Sequence, residues 1–495
     1  MCNLHRNLVA RQNSAIITFM TTFTIKTRFC PSPTGLIHLG NCRTALFNQL
    51  YANSKQGVFL LRIEDTDISR STLEHAHHLM ADLRWLNIDW QEGADAVPEG
   101  PNGPYWQSQR AVVYKTYYEQ LIASKRAYPC FCSDEELALR RKLQLSAGKP
   151  PRYAGTCREL SSAEVQEKLT TGAKPALRFH MPDDEVIQFD DLVKGLQRYS
   201  GADIGDFIIR RADGGASFMF CNAIDDSLMG VTHALRGEDH LTNTPRQIAI
   251  LKALNLRAPI YGHLSLILGQ DGAPLSKRNG SRSVYDLRAE GYLPIAVLNY
   301  LARLGHYYES NDLMSSEQLA KNFAPSHLSH SAARFDEQQL LHWQKEAMKQ
   351  INSIDLWTLM PSAVHELVNE AKREAFINLV KPNIVFPAQA LHWATILFAE
   401  KLAYDDDAKE VLLNTPESVF RAAITALNTQ GHEFVALAEY VKATAQVKGK
   451  ALFQPLRVAL TGDLHGPEMA VIAEFLGAEK MRQRFEQALS SGFIE

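Results

Sequence analysis

Residues 31–41 read PSPTGLIHLGN. Two prolines and a glycine fall in the first five positions, and His38, Gly40 and Asn41 follow at close spacing. Upstream, TFTIKTRFC (22–30) alternates, with Phe23, Ile25, Thr27 and Phe29 on one side, which is the period of a strand. Downstream, CRTALFNQLYANSKQG (42–57) places Ala45, Leu46, Gln49 and Leu50 on one helical face and ends at Gly57, a natural C-cap. The unit is therefore strand, stiff loop, helix. Its polar cluster sits at a helix N-terminus, where unpaired backbone N–H groups and the positive dipole end favour an anion. Glycine at 40 lets a flat ring or a phosphate approach the backbone. On these residues alone, an ordinary βα turn would look the same.

The whole chain bounds what that unit can belong to. At 495 residues it is too long for one core, so several domains are expected. Charged residues make up 22% and hydrophobic residues 45%, the balance of a soluble globular protein. The net charge of −3 confines any nucleic-acid surface to a local patch. No apolar run approaches the ~18 residues of a membrane helix. Seven cysteines do not make a disulfide scaffold, but Cys130, Cys132 and Cys157 cluster, which points to a metal in a reducing, cytoplasmic setting. Residues 1–19 read as a weak targeting leader or as a start assigned too far upstream. The second reading is preferred, because Met20 leads directly into the first strand and the stretch carries only two arginines.

Working outward, FLLRIED (59–65) is a second short strand ending in acids, so residues 20–104 form the first half of an α/β domain. STLEHAHHLMADLRWLNI (71–88) is a helix, with Ser71 and Glu74 as a capping box and Leu73, Ala76, Met80 and Leu83 on one face. His75, His77 and His78 read as solvated surface, since no acid or thiol joins them at ligand spacing. A Gly/Pro-rich loop at 92–104 marks a boundary. Residues 105–205, with the cysteines and the basic run RRKLQLSAGKPPRYAGTCR (140–158), form an insertion. The α/β domain resumes over 206–265, where GDFIIRRADGGASFMFCNAIDD reads as strand–turn–strand, followed by VTHALRGEDHL and a helix from Thr244. Strands interleaved with helices predict a doubly wound parallel sheet with its site at the C-terminal strand ends. Residues 266–340 connect to a region, 341–495, whose amphipathic patterns are all helical.

A second constellation, QDGAPLSKRNGSRS (270–283), carries Ser276, Lys277 and Arg278 between glycines. Alone it is an exposed basic loop. Paired with the helix-start cluster, it can supply an ammonium to neutralise charge developing on a phosphate. There is no Walker A pattern.

Five segments together resemble a known family, the bacterial-type glutamyl-tRNA synthetases of class I. They are RFCPSPTGLIHLGNCRTALFN, LRIEDTD, DDSLMGVTHALRGEDHLTNTPRQ, PLSKRNG and, near the end, ALFQPLRVALTG, in family order from about residue 24 onward. The resemblance implies a Rossmann-type catalytic domain, an inserted acceptor-stem-binding domain, a stem-contact region with a mobile lysine loop at 266–340, and an all-α anticodon-binding region. It implies a monomer that uses ATP with Mg²⁺, L-glutamate and tRNA-Glu, with tRNA-Gln as a second or even preferred acceptor.

Site roles follow from the same resemblance. His38 and Asn41 hold ATP, with Pro31, Thr34, Gly40 and Ser276 around it, and Lys277 neutralises phosphate charge. Arg28 and Arg236 grip the side-chain carboxylate of glutamate, whose planar bidentate geometry suits guanidinium forks. Glu64 accepts from the α-ammonium, and Ser32, Phe218 and Asn222 complete the pocket. Cys130, Cys132, Tyr153 and Cys157 match a pattern found in zinc-bearing relatives, with Glu159 and His180 as competing fourth ligands. Three departures stand out: Asn41 replaces the second histidine of the class signature, Pro274 the first lysine of the loop, and Phe218 a common tyrosine. In relatives that discriminate strictly between the two tRNAs, an arginine reads the third anticodon base. The matching position here is Asn383, or Lys381 if the match slips by two residues.

Rival functions fit less well. A glutaminyl-tRNA synthetase ends in β-rich domains, the truncated family that modifies a tRNA base lacks the last third, and a small-molecule nucleotidyltransferase has no use for it. A non-enzymatic tRNA binder would not need His38, Glu64, Arg236 and Lys277 together.

Overall fold

The computed structural model describes residues 24–67, 69–275 and 282–491. The leader reading, Ser276 and Lys277 lie outside them.

The chain opens with β1 (Lys26–Phe29), α1 (Leu39–Ser54), β2 (Val58–Leu61), α2 (Leu73–Trp85) and β3 (Glu92–Gly93). β1 pairs with β2 and β2 with β3, both in parallel. Thr27, Arg28 and Phe29 of β1 are all buried. Strict alternation, expected from the sequence, does not hold because β1 is central in a parallel sheet covered on both faces. α1 is likewise buried on more than the expected face, taking in Phe47, Asn48 and Tyr51 as well as Ala45 and Leu46.

The insertion follows: α3 (Ala111–Ala123), β4 (Ala127–Cys130), α4 (Asp134–Ser146), α5 (Ser162–Thr170), β5 (Ala176–Phe179), β6 (Val186–Asp191), β7 (Gly195–Ser200), α6 (Gly201–Ile204) and β8 (Phe207–Arg210). β4, β5 and β8 form an antiparallel sheet, and β6 and β7 a hairpin. The insertion's sheet thus runs to Arg210, beyond the expected boundary at 205.

The chain then enters α7 (Phe218–Leu228), β9 (His233–Gly237), α8 (Thr244–Ala253) and β10 (Ile260–Leu264). The expected strand–turn–strand over 205–226 is corrected here, because only its first strand forms. Residues 218–228 are a two-sided helix: Phe220, Cys221 and Ile224 pack into a satellite core with Tyr118 and Phe179, while Asn222, Asp225 and Asp226 are buried on the side of the site. Those polar positions recur every three to four residues, a helical period that a run of short apolar residues disguised. β9 and β10 pair in parallel. Thr232, just before β9, donates its N–H to Lys26 O at 2.8 Å, which sets β9 beside β1. The strand order is therefore β10-β9-β1-β2-β3. Crossovers α1 and α8 leave β1 and β9 in opposite directions, and the crevice between those two strands is the switch point of a doubly wound sheet.

Beyond β10 the described elements are helices, from Val284–Ala289 to Met469–Ser491, apart from two short strands, Ile267–Leu268 and Ala333–Arg334, that pair in parallel. One apolar core runs from Leu46 and Leu60 of the sheet domain through Leu301 and Trp343 to Phe420 and Leu460. No described helix is long and apolar enough to cross a membrane.

Candidate active site

The C-terminal ends of β1, β2 and β9 open into a cavity of about 620 Å³. Arg28, Ser32, Glu64, Phe218 and Arg236 line one part of it, and Pro31, Thr34, His38, Gly40 and Asn41 the other. Of the expected amino-acid residues only Asn222 stands behind the wall, where it donates to Glu64 Oε1 at 2.7 Å and accepts from Gln247 at 2.9 Å. Ser276 and Lys277 fall outside the described residues.

His38 is the N-cap residue of α1, in extended conformation, and bridges to Ser283 across the cavity's edge. A Cβ on Gly40 would lie 3.1 Å from two atoms of the His38 ring. The glycine thus leaves room for the imidazole as well as for a ligand at the helix start.

Beneath the cavity lies a network of fully buried charges. Arg62 reaches Asp226 at 2.8 Å and Glu64 at 3.0 Å, and Arg110 reaches Asp225 at 2.7 Å. Arg28 Nε donates to both Asp226 oxygens at 3.3 Å, and its Nη1 to Leu235 O at 3.2 Å. Burial alone would push the Asp226 carboxyl up, but Arg28 and Arg62 outweigh it and hold it below the usual carboxylate range. Burial raises the Glu64 carboxyl against the pull of Arg62 and Asn222. All three hydrogen bonds to Glu64, from Arg62, Gln107 and Asn222, go to Oε1. That leaves Oε2 for a ligand's ammonium.

Arg236 differs from the other arginines. Its Nε donates to His263 Nε2 (3.2 Å) and its Nη2 to Thr244 Oγ1 (2.7 Å). Among the described residues no carboxylate lies within ion-pairing distance of it. Burial pushes its pKa down, and the neighbouring Arg28 adds to that. Arg236 Nη1 and Arg28 Nη2 are buried and without hydrogen-bond partners. Both arginines line the cavity, and each keeps a buried donor that no protein group satisfies. Phe218 packs its ring 5.1 Å from that of His240, whose pKa falls to about 4 through burial and the nearby Arg236.

The insertion carries the second site. The sulfurs of Cys130, Cys132 and Cys157 lie within 4.8 Å of one another. Cys132 and Cys157 are 3.6 Å apart, and the Tyr153 hydroxyl is 3.5 Å from both Cys130 and Cys132 sulfurs. A tetrahedral zinc with sulfur ligands at ~2.3 Å has edges of ~3.8 Å, so the cluster has the right dimensions. Burial opposes ionisation of Cys130, but the Tyr153 hydroxyl, the Cys132 backbone and Arg178 outweigh it, and its thiol is held below the ordinary range. Glu159 and His180 do not join the group. His180 turns instead to Asp206 at 3.4 Å, which also accepts from Tyr128, Arg158 and the N–H of Met181.

Residues 24–342 match the family described as tRNA synthetases class I (E and Q), catalytic domain, and residues 355–489 match an anticodon binding domain. The chain belongs to the class I tRNA synthetases of the glutamate and glutamine branch. It is similar to a glutamate–tRNA ligase of Coxiella burnetii (strain RSA 331 / Henzerling II), 53% identical over 464 residues, covering 94% of this chain and 99% of the relative. A glutamate–tRNA ligase of Nitrosococcus oceani is 52% identical over 476 residues, covering 96% of this chain and all of the relative. The crystal structure of a glutamate tRNA ligase from Elizabethkingia meningosepticum, in complex with its amino acid, superposes with a TM-score of 0.84. It is 27% identical and covers 94% of this chain and 99% of its own.

This synthetase is an ATP-dependent ligase, and its catalytic half contains site residues that sequence reasoning did not single out. Arg62, Asp225 and Asp226 lay inside quoted motifs, yet nothing in their spacing showed that they would meet. Asp239 and His240, which also line the cavity, stood in the same position. Thr244 and His263 carried no signal beyond a helix start and a strand.

Proposed function

We propose that the chain is a glutamate–tRNA ligase that activates L-glutamate with ATP and Mg²⁺ and transfers it to tRNA-Glu. In the first step the α-carboxylate attacks the α-phosphate of ATP, giving glutamyl-adenylate and pyrophosphate. In the second, the 2′-hydroxyl of the terminal adenosine attacks the acyl carbonyl and AMP leaves. Both steps rest mainly on positioning and charge stabilisation. The observation that carries the reading is the pair of buried nitrogens without protein partners, Arg28 Nη2 and Arg236 Nη1, on two arginines that line one cavity with Glu64. A γ-carboxylate satisfies both guanidinium groups, whereas an amide would set its own donors against one of them. Glu64 takes the α-ammonium, and His38, Asn41 and Gly40 at the start of α1, with Pro31 and Thr34, cradle ATP. Ser276 and Lys277 act on its phosphates. Ser32, Phe218 and Asn222 shape the amino-acid pocket. The insertion carries the acceptor stem and holds one structural zinc on Cys130, Cys132, Cys157 and Tyr153. Arg236→Ala should raise the glutamate KM in tRNA charging by about 10-fold or more while the ATP KM stays within about twofold. An unchanged glutamate KM would overturn the reading.

A second inference concerns which tRNA is charged. Lys381 donates its ammonium to Ile351 O at 2.5 Å, so it is committed to the protein. Asn383 is exposed and donates to Leu379 O at 3.2 Å, in the turn that the family resemblance matches to the anticodon-reading arginine. Loss of one bidentate base contact costs about 1–3 kcal/mol of discrimination. We infer that tRNA-Glu and tRNA-Gln are both accepted. Glutamylation of the two tRNAs, transcribed separately, should differ by less than about 100-fold; a gap of about a thousandfold, ~4 kcal/mol, would refute it.

A further inference from the structure

The arginine assigned to the side-chain carboxylate is held by contacts that begin in the insertion. Asp191 closes β6, and its Oδ1 accepts the N–H groups of Val193 (2.9 Å), Lys194 (2.8 Å) and His263 (3.1 Å). Its Oδ2 meets Nδ1 of His263, and both side chains are wholly buried. The other imidazole nitrogen, Nε2, faces Arg236 Nε at 3.2 Å and Thr244 Oγ1 at 3.0 Å. The Tyr261 ring lies 4.8 Å beneath the guanidinium.

An arginine Nε always carries a hydrogen, so the facing His263 Nε2 must be an acceptor. The imidazole proton then sits on Nδ1, where Asp191 takes it. Burial and the adjacent Arg236 push the His263 pKa down, against Asp191, so the ring is held neutral. With Nε and one hydrogen of Nη2 engaged, Nη1 is the guanidinium nitrogen that has no protein partner.

We propose that Asp191 and His263 are positioning residues for Arg236: the hairpin carboxylate fixes the imidazole tautomer that aims the guanidinium at the amino acid's side-chain carboxylate. The tip of the inserted hairpin is thereby tied to amino-acid selection. This rests on the reading of Arg236 given above.

Asp191→Asn tests it with little change of shape. The amide oxygen can keep the three backbone N–H groups, and its NH₂ then faces His263 Nδ1. That drives the proton to Nε2, against the Nε–H of Arg236. The expected result, in tRNA charging by the full-length protein, is a glutamate KM raised tenfold or more. The ATP KM should stay within twofold and the thermal midpoint should barely move. His263→Gln places an amide oxygen near the Nε2 position without help from Asp191, so in that background Asp191→Asn should change the glutamate KM less than twofold. An unchanged KM in Asp191→Asn, or an equal rise in both backgrounds, overturns the proposal. Arg236→Ala separates the two levels. If it leaves the glutamate KM unchanged, the pocket reading itself fails. If it raises that KM while Asp191→Asn does not, only the positioning role fails.

Discussion

The charge network under the cavity and the thiol cluster of the insertion are both built from a few polar side chains, but they are assembled differently. Every member of the thiol cluster lies between Cys130 and Cys157. The network joins Arg28 to Asp226 across 198 positions, and Arg110 to Asp225 across 115. A cluster closed within one short segment leaves its spacing in the sequence. A network closed by the sheet does not, because its partners meet only once β9 lies beside β1 and α7 brings Asp225 and Asp226 to Arg110 and Arg28. The two also differ in what they do with burial. In the network, cations and carboxylates are desolvated together, and removing one strands the rest. The cluster sits in part-buried surroundings on a separate sheet.

The sharpest way to test that contrast is to break the network. Asp226→Ala leaves Arg28 and Arg62 buried without their shared counter-ion. It should cost about 3–5 kcal/mol in urea unfolding. The exposed pair of Arg70 and Asp67, 2.6 Å apart, gives the control, since Asp67→Ala should leave the urea midpoint nearly unchanged. Equal, small losses at both positions would show that the buried network is not a stabilising unit.

Breaking the local cluster should have a smaller and more confined effect. The purified protein should carry about one equivalent of zinc by elemental analysis, because closed structural sites bind tightly. Cys157→Ser should abolish that zinc and lower stability by about 2 kcal/mol, a shift of a few degrees in the thermal midpoint. The glutamate KM should not move, since none of the four side chains lines the cavity. Metal-free protein with an unchanged midpoint would reject the zinc site, and a shifted glutamate KM would show that the two regions are coupled.

How much was legible follows the same division. The strand–loop–helix around His38 could be read because proline, glycine and period all act within a few residues. So could the cysteine pattern and the helical C-terminal region. The helix at 218–228 reads as a strand from sequence because its apolar residues mask the helical period of Asn222, Asp225 and Asp226, whose partners lie far away in sequence. The expected pocket residues came from ordered motifs rather than from spacing, and the structure gathers the described ones around one cavity. Arg62 and His263 could not be found that way. A buried arginine and a buried histidine look like surface residues until the elements that cover them are known.

The smallest expected effect marks the limit of local reading. The sequence pattern Ser-x-x-Glu placed the cap of α2 at Ser71, with Glu74 returning its carboxylate. In the structure the cap is Thr72, in extended conformation, whose hydroxyl accepts the His75 N–H at 3.1 Å. The third helical residue is then His75, which has no carboxylate to return, so the reciprocal box does not form. The reason lies upstream. Ser71 N–H is taken by Asp67 O at 2.9 Å and Thr72 N–H by Pro33 O at 3.2 Å, which holds the chain extended through position 72. The helix therefore starts one residue later than the pattern implies, and the Ser71 hydroxyl is buried without a partner. Thr72→Ala should cost about 1 kcal/mol, within the usual range for a lost cap. Ser71→Ala removes an unsatisfied polar group and should be neutral or stabilising by a few tenths of a kcal/mol. Urea unfolding of the two variants under one set of conditions decides the matter. The reverse ranking would return the cap to Ser71 and make the local pattern the better guide.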